Sequence, residues 1–133
     1  MKIEWILHNP DESDPEDPVG DILITNSENF IEERDTYIDS WLEVLIAALR
    51  SAERGQPADL DIWEEPEQLT VQIQDSGLKL SYRDGGVFIP STDEFYRELR
   101  AAIYRFLDQV SNTGKLTTVQ LDALRKRFQI DDA

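Results

Sequence analysis

Gln68-Leu69-Thr70-Val71-Gln72-Ile73-Gln74-Asp75-Ser76-Gly77-Leu78-Lys79-Leu80-Ser81-Tyr82-Arg83 is the stretch that decides the fold class. Leu69, Val71 and Ile73 alternate without a break against Thr70, Gln72 and Gln74, the period-two pattern of a strand with one buried face. Asp75-Ser76-Gly77 supplies a tight turn, after which Leu78, Leu80 and Tyr82 oppose Lys79, Ser81 and Arg83. Asp84-Gly85 reads as a hairpin turn, because both central positions of a type I′ turn need positive φ. Residues 87–89 then close a meander before Pro90. Strands with one apolar and one polar face form an antiparallel sheet covered on one side only.

The alternation continues on either side of this meander. Leu60 and Ile62 share a face over residues 59–64, so four strands follow in succession. Near the start, Ile3, Trp5 and Leu7 make a fully apolar face over residues 2–8, against a mixed face of Glu4, Ile6 and His8. Residues 20–25 form a second short strand placed to pair with it. Between them, Asp11-Glu12-Ser13-Asp14-Pro15-Glu16-Asp17-Pro18 packs five acids and two prolines into eight residues. Such a segment cannot hold a helix or a central strand, so residues 11–18 are expected to be a mobile acidic loop.

Residues 28–54 read as one long helix, capped by Asn26 or Ser27 and stopped by Gly55 and Pro57. Its apolar stripe is Ile31, Ile38, Trp41, Leu42, Leu45 and Leu49. A second helix opens on a Ser91/Glu94 capping box and carries Phe95, Leu99, Ala102, Ile103, Phe106 and Val110 inward. A short third opens on Thr117 and Gln120 and turns Leu121, Leu124 and Phe128 inward, leaving residues 130–133 as a frayed tail. The expected order is ββ-α-ββββ-αα over a single domain, residues 1–133. It implies an α+β two-layer sandwich, an antiparallel sheet of about five or six strands with all three helices on one face.

Composition narrows the function. Twenty-eight acidic residues against thirteen basic give a net charge of −15, which repels both nucleic acid and anionic membrane. With no cysteine there is no disulfide, thiolate nucleophile or zinc-thiolate site, and with His8 alone there is no multi-histidine metal centre. No apolar run reaches the length that spans a bilayer, and Met1-Lys2-Ile3-Glu4 does not begin a signal peptide, so a cytoplasmic location is expected. His8, at a strand end beside Asn9-Pro10, reads as a structural residue rather than a catalytic base. Asp11-Glu12-Ser13-Asp14 lacks the glycine and the terminal glutamate of a calcium loop. Gly85-Gly86 lies in a hairpin rather than before a helix, so it is not a phosphate loop. No catalytic residue, metal ligand or cofactor site is assigned.

The charges are unevenly placed. Residues 1–43 hold thirteen acids and two bases, whereas residues 97–127 hold seven bases and three acids. On the expected long helix, Glu28, Glu32, Asp35, Asp39 and Glu43 fall within a sector of about 80°, which lies about 120° from the centre of the apolar stripe and is exposed. Like charges at this spacing cost helix stability. The row is therefore the candidate partner-binding surface, its spacing similar to that of successive phosphates. Arg97, Arg100 and Tyr104, opposite the stripe of the second helix, form a secondary candidate patch.

These features favour a small acidic protein that binds and neutralises a basic protein partner, by occupying a groove meant for phosphates. In general character the chain is similar to bacterial toxin-immunity proteins, which implies inhibition by contact rather than catalysis. That likeness is one of class, carried by no motif. A second possibility is a small-molecule-binding or enzymatic domain with Trp5, Trp41, Trp63, Tyr37 and Tyr82 lining a pocket between sheet and helices. A third is an assembly subunit that dimerises through its sheet; a monomer or homodimer is expected.

Overall fold

The structure, a computed structural model, describes residues 1–8 and 18–130. Seven strands and three helices appear among them: β1 (Lys2–Leu7), β2 (Val19–Asn26), β3 (Asn29–Tyr37), α1 (Ile38–Glu53), β4 (Ala58–Asp61), β5 (Gln68–Gln74), β6 (Gly77–Tyr82), β7 (Gly85–Ile89), α2 (Thr92–Asn112) and α3 (Thr118–Arg127). The class is α+β, as the alternation requires. The strands form two antiparallel sheets rather than one, in the orders β1-β2-β3 and β4-β5-β6-β7. The expected loop over residues 11–18 lies, except for Pro18, outside the described residues.

The largest correction concerns the first helix. Residues 29–37, expected to be its first turns, are strand β3, and α1 begins at Ile38. Asn26-Ser27-Glu28-Asn29 makes a hairpin turn, with Asn26 opposite Asn29 and Ser27 held at φ +56°. Beyond it, Phe30 and Ile31 are adjacent and no aliphatic side chain follows until Ile38, so no helical stripe forms. Phe30, Ile31, Thr36 and Tyr37 are β-branched or aromatic residues that suit a pleated surface. Helix α1 then starts without a side-chain cap, the Ile38 N–H donating instead to the Pro18 carbonyl at 3.0 Å. It ends at Gly55 in a Schellman motif, Gln56 N–H to Ser51 O and Gly55 N–H to Ala52 O, both 3.0 Å.

The inner faces of both sheets share one apolar core with the helices, including Ile22, Ile24 and Ile31 of the first sheet and Leu69, Val71, Leu80 and Val87 of the second. Trp41 and Leu45 of α1 and Phe95, Leu99 and Phe106 of α2 fill it from the helical side. Ile73 departs from the expected alternation: it lies near the hairpin end of β5, opposite Leu78, and is 39% exposed. The expected tail also departs. Ile130 is buried, and Arg50 Nη2 donates to its carbonyl at 2.6 Å; residues 131–133 lie outside the described chain.

Strands β3 and β7 run side by side along a seam. A Cβ on Gly85 would sit 2.5 Å from the Phe30 carbonyl oxygen, a distance that side chains do not tolerate. Asn26 Nδ2 closes the other end by donating to the Phe88 carbonyl at 2.5 Å. Gly85 is thus a residue of close approach rather than the turn residue expected. The two-residue loop between Tyr82 and Gly85 is Arg83-Asp84, with Arg83 at φ +52°. Gly85→Ala should therefore lower unfolding free energy by about 1–3 kcal/mol in urea titration. Gly86→Ala, whose Cβ would meet the flexible end of Lys79 and touch the Leu80 carbonyl oxygen at an ordinary 3.6 Å, should change it by no more than about 0.5 kcal/mol. Equal effects would remove the seam constraint.

Candidate functional site

The expected acidic row does not exist as a row, because its members are divided between a turn, a strand and a helix. Glu28 lies in the β2–β3 turn, Glu32 and Asp35 lie on β3, and Asp39 and Glu43 lie in α1. Arg127, at the end of α3, donates from Nη1 to Asp39 Oδ2 at 3.0 Å and from Nη2 to Glu43 Oε2 at 2.9 Å. Burial pushes the Asp39 carboxyl up from its usual range, and the Arg127 guanidinium pulls in the opposite direction. These two carboxylates fasten α3 to α1 and are engaged within the fold. Arg97, Arg100 and Tyr104 lie together on the outer side of α2, with the Arg100 guanidinium 4.4 Å from the Tyr104 ring centre.

Asp35 belongs to a different cluster. Between Gly20 and Ile22 the β2–β3 register slips, and Asp35 takes up the slack at φ +52°. Its N–H donates to Asp21 Oδ1 at 3.0 Å, while His8 places Nε2 2.9 Å from Asp21 Oδ1 and Nδ1 3.1 Å from Asp35 Oδ1. Burial raises the Asp21 pKa, but the Asp35 N–H and the His8 contact outweigh it and hold the carboxyl below its ordinary value. His8, Asp21 and Asp35 offer ligand atoms within 4.8 Å of one another, the one such set among the described residues that could hold a metal ion. The imidazole spans the two carboxylates, one nitrogen to each, so the present geometry is that of a clamp on the bulge.

A second polar cluster sits on the β3–β7 seam. Tyr82 Oη donates to Glu33 Oε2 at 2.6 Å and lies 3.2 Å from Glu65 Oε2. Arg83 Nη2 lies 3.2 Å and 3.8 Å from the same two oxygens. Burial, then the neighbouring Glu33 charge, pushes the Glu65 carboxyl up. Burial and the bond to Glu33 push the Tyr82 phenol far above its usual range, keeping it a donor. Paired half-buried carboxylates suggest acid–base chemistry, but here both are already held by Tyr82 and Arg83, and Glu33 ties the first sheet to the second.

The five aromatics expected to line a pocket are divided among three separate ring contacts. Trp41 and Tyr82 pack edge to face at 4.9 Å, Trp5 packs against Phe106 at 5.8 Å, and Tyr37 against a largely exposed Trp63 at 5.1 Å. The open feature lies instead on the outer face of the first sheet. Ile6 is 62% and Phe30 55% exposed there, and Leu23 is half-buried between them. Register places Glu4, Leu23 and Glu32 in one row and Ile6 beside Asp21 in the next. Ile6 and Leu23 line a shallow depression of about 210 Å³ bordered by Glu4, Asp21, Glu32 and Arg34, the last engaged by Glu32 at 3.1 Å. This patch is not among the sites expected from the sequence. Its signal was Ile6, an apolar residue on the otherwise polar face of β1.

No known family model, curated protein or solved structure matches the chain. No described helix is long and apolar enough to cross a membrane.

The seam cluster has a pH signature. A carboxyl whose pKa is raised by folding contributes most to stability below its unfolded value, near 4.5 for Glu65, and that contribution is lost as pH rises through the folded value. Glu65→Gln should therefore raise the thermal midpoint at pH 7, with the gain shrinking toward zero near pH 4. A loss of stability at pH 7 would mean that the negative charge of Glu65 is needed on the seam.

Proposed function

We propose that the protein is an acidic binding protein that docks a basic protein partner on the outer face of β1–β3, in the manner of an inhibitor or immunity protein. The observation that carries this reading is the exposed Ile6–Leu23 floor with Glu4, Asp21 and Glu32 around it, on the face turned away from the shared core. An apolar centre with a charged rim is the anatomy of a protein interface. The excess of carboxylates selects a basic surface and speeds its approach. Of the carboxylates first singled out, Glu32 belongs to this face, where it also holds Arg34, while Asp39 and Glu43 are committed to Arg127.

Capture from a lysate of the native host tests this reading, with wild type compared against two variants. A basic protein should be retained at low ionic strength and released by about 0.5 M salt. Ile6→Lys combined with Glu32→Lys should weaken retention at least tenfold. Gln72→Lys, which changes an exposed residue of the second sheet, should leave it unchanged. Equal retention by all three proteins would take the site off this face.

A further inference from the structure

We infer that the partner contributes an extended, basic segment that adds to the free edge of β1 as a further strand; this rests on the docking reading above. Strand β1 ends the sheet order β1-β2-β3, and no described strand lies beyond it. Its hydrogen-bonding phase follows from two contacts. The His8 N–H donates to Val19 O at 3.0 Å, so in this antiparallel ladder the even-numbered residues of β1 point their backbone groups at β2. The odd-numbered residues Ile3, Trp5 and Leu7 point theirs outward. In agreement, Arg105 of α2 reaches the Ile3 carbonyl from outside at 2.9 Å.

Among the described residues, that arginine occupies one end of the edge and no hydrogen bond is made to the rest of it. Trp5 and Leu7 present two N–H and two C=O groups to an incoming strand, enough to set its register. The incoming residues would alternate between two environments. On the outer face they meet Glu4 and Ile6, with Asp21 and Glu32 beyond; on the inner face they lie beside the half-buried Trp5 and Leu7. Lysine or arginine suits the outer positions, since its stem covers Ile6 while its charge reaches the carboxylates. An aliphatic residue suits the inner ones. A second copy of this chain is the poorer occupant, because each copy carries −15.

A capped hexapeptide alternating lysine and valine is the probe, paired with an analogue N-methylated on its three valines, whose N–H groups face β1 when the strand pairs antiparallel with its valine side chains turned inward; this keeps the charge but removes those donors. The full-length chain is titrated with each, and amide exchange is followed by NMR. The unmodified peptide should slow exchange at Trp5 and Leu7 at least tenfold, and methylation on the pairing edge should abolish both binding and protection. Equal binding of the two peptides without protection would overturn strand addition while leaving the docking face intact. No binding of either, with the basic protein still retained by the wild type, would also overturn it. A dimeric free chain with Trp5 and Leu7 already protected would assign the edge to a second copy and overturn it equally. Failure of the docking reading shows separately, as unchanged retention by the Ile6/Glu32 variant.

Discussion

The seam where β3 meets β7 is the constraint on which the rest of this architecture depends. Two separately hydrogen-bonded sheets share one core only if their adjoining edges are held together, and three devices do this. Gly85 lets the backbones close to a distance no Cβ would allow. Asn26 reaches across to Phe88, and Glu33 receives the Tyr82 hydroxyl and lies beside Arg83. Side-chain bonds at the two ends thus stand in for a continuous ladder. With the seam closed, α1 and α2 cover the inner faces of both sheets together, and the outer face of the first sheet stays open.

The seam also explains why part of the fold could be read from sequence and part could not. Strands β5 and β6 obey a local rule, alternation, so their existence and pairing were plain. The stripe of α2 and the Thr117/Gln120 box of α3 were equally local, and both side-chain and backbone halves of that box are present. Strand β3 obeys no local rule strongly. Its charged side chains at three- and four-residue steps imitate a helix face, and although its ladder partner β2 is close in sequence, the side chains that hold its other edge, Tyr82 and Arg83, are distant. The same holds for Gly85, whose neighbour Phe30 is 55 residues away.

The acidic character divides along the same lines. Asp39 and Glu43 are spent on holding α3, Asp35 on the His8 clamp, and Glu33 and Glu65 on the seam. A count of carboxylates therefore overstates how many are not already engaged within the fold. At the open face stand Glu4, Asp21 (shared with the His8 clamp) and Glu32 (shared with Arg34), set around apolar side chains. Surface charge around an apolar floor distinguishes a docking face from a merely solvated one. No long helix is required for it.

The chemical shifts and cross-strand contacts of Asn29–Tyr37 test the central claim most directly, since the seam, the bulge clamp and the open face all require this segment to be a strand. Extended Cα shifts across it should accompany close contacts from Ile31 to Ile24 on one side and to Gly85 on the other. Helical shifts over residues 29–37, continuous with those of α1, would contradict the seam and everything built on it.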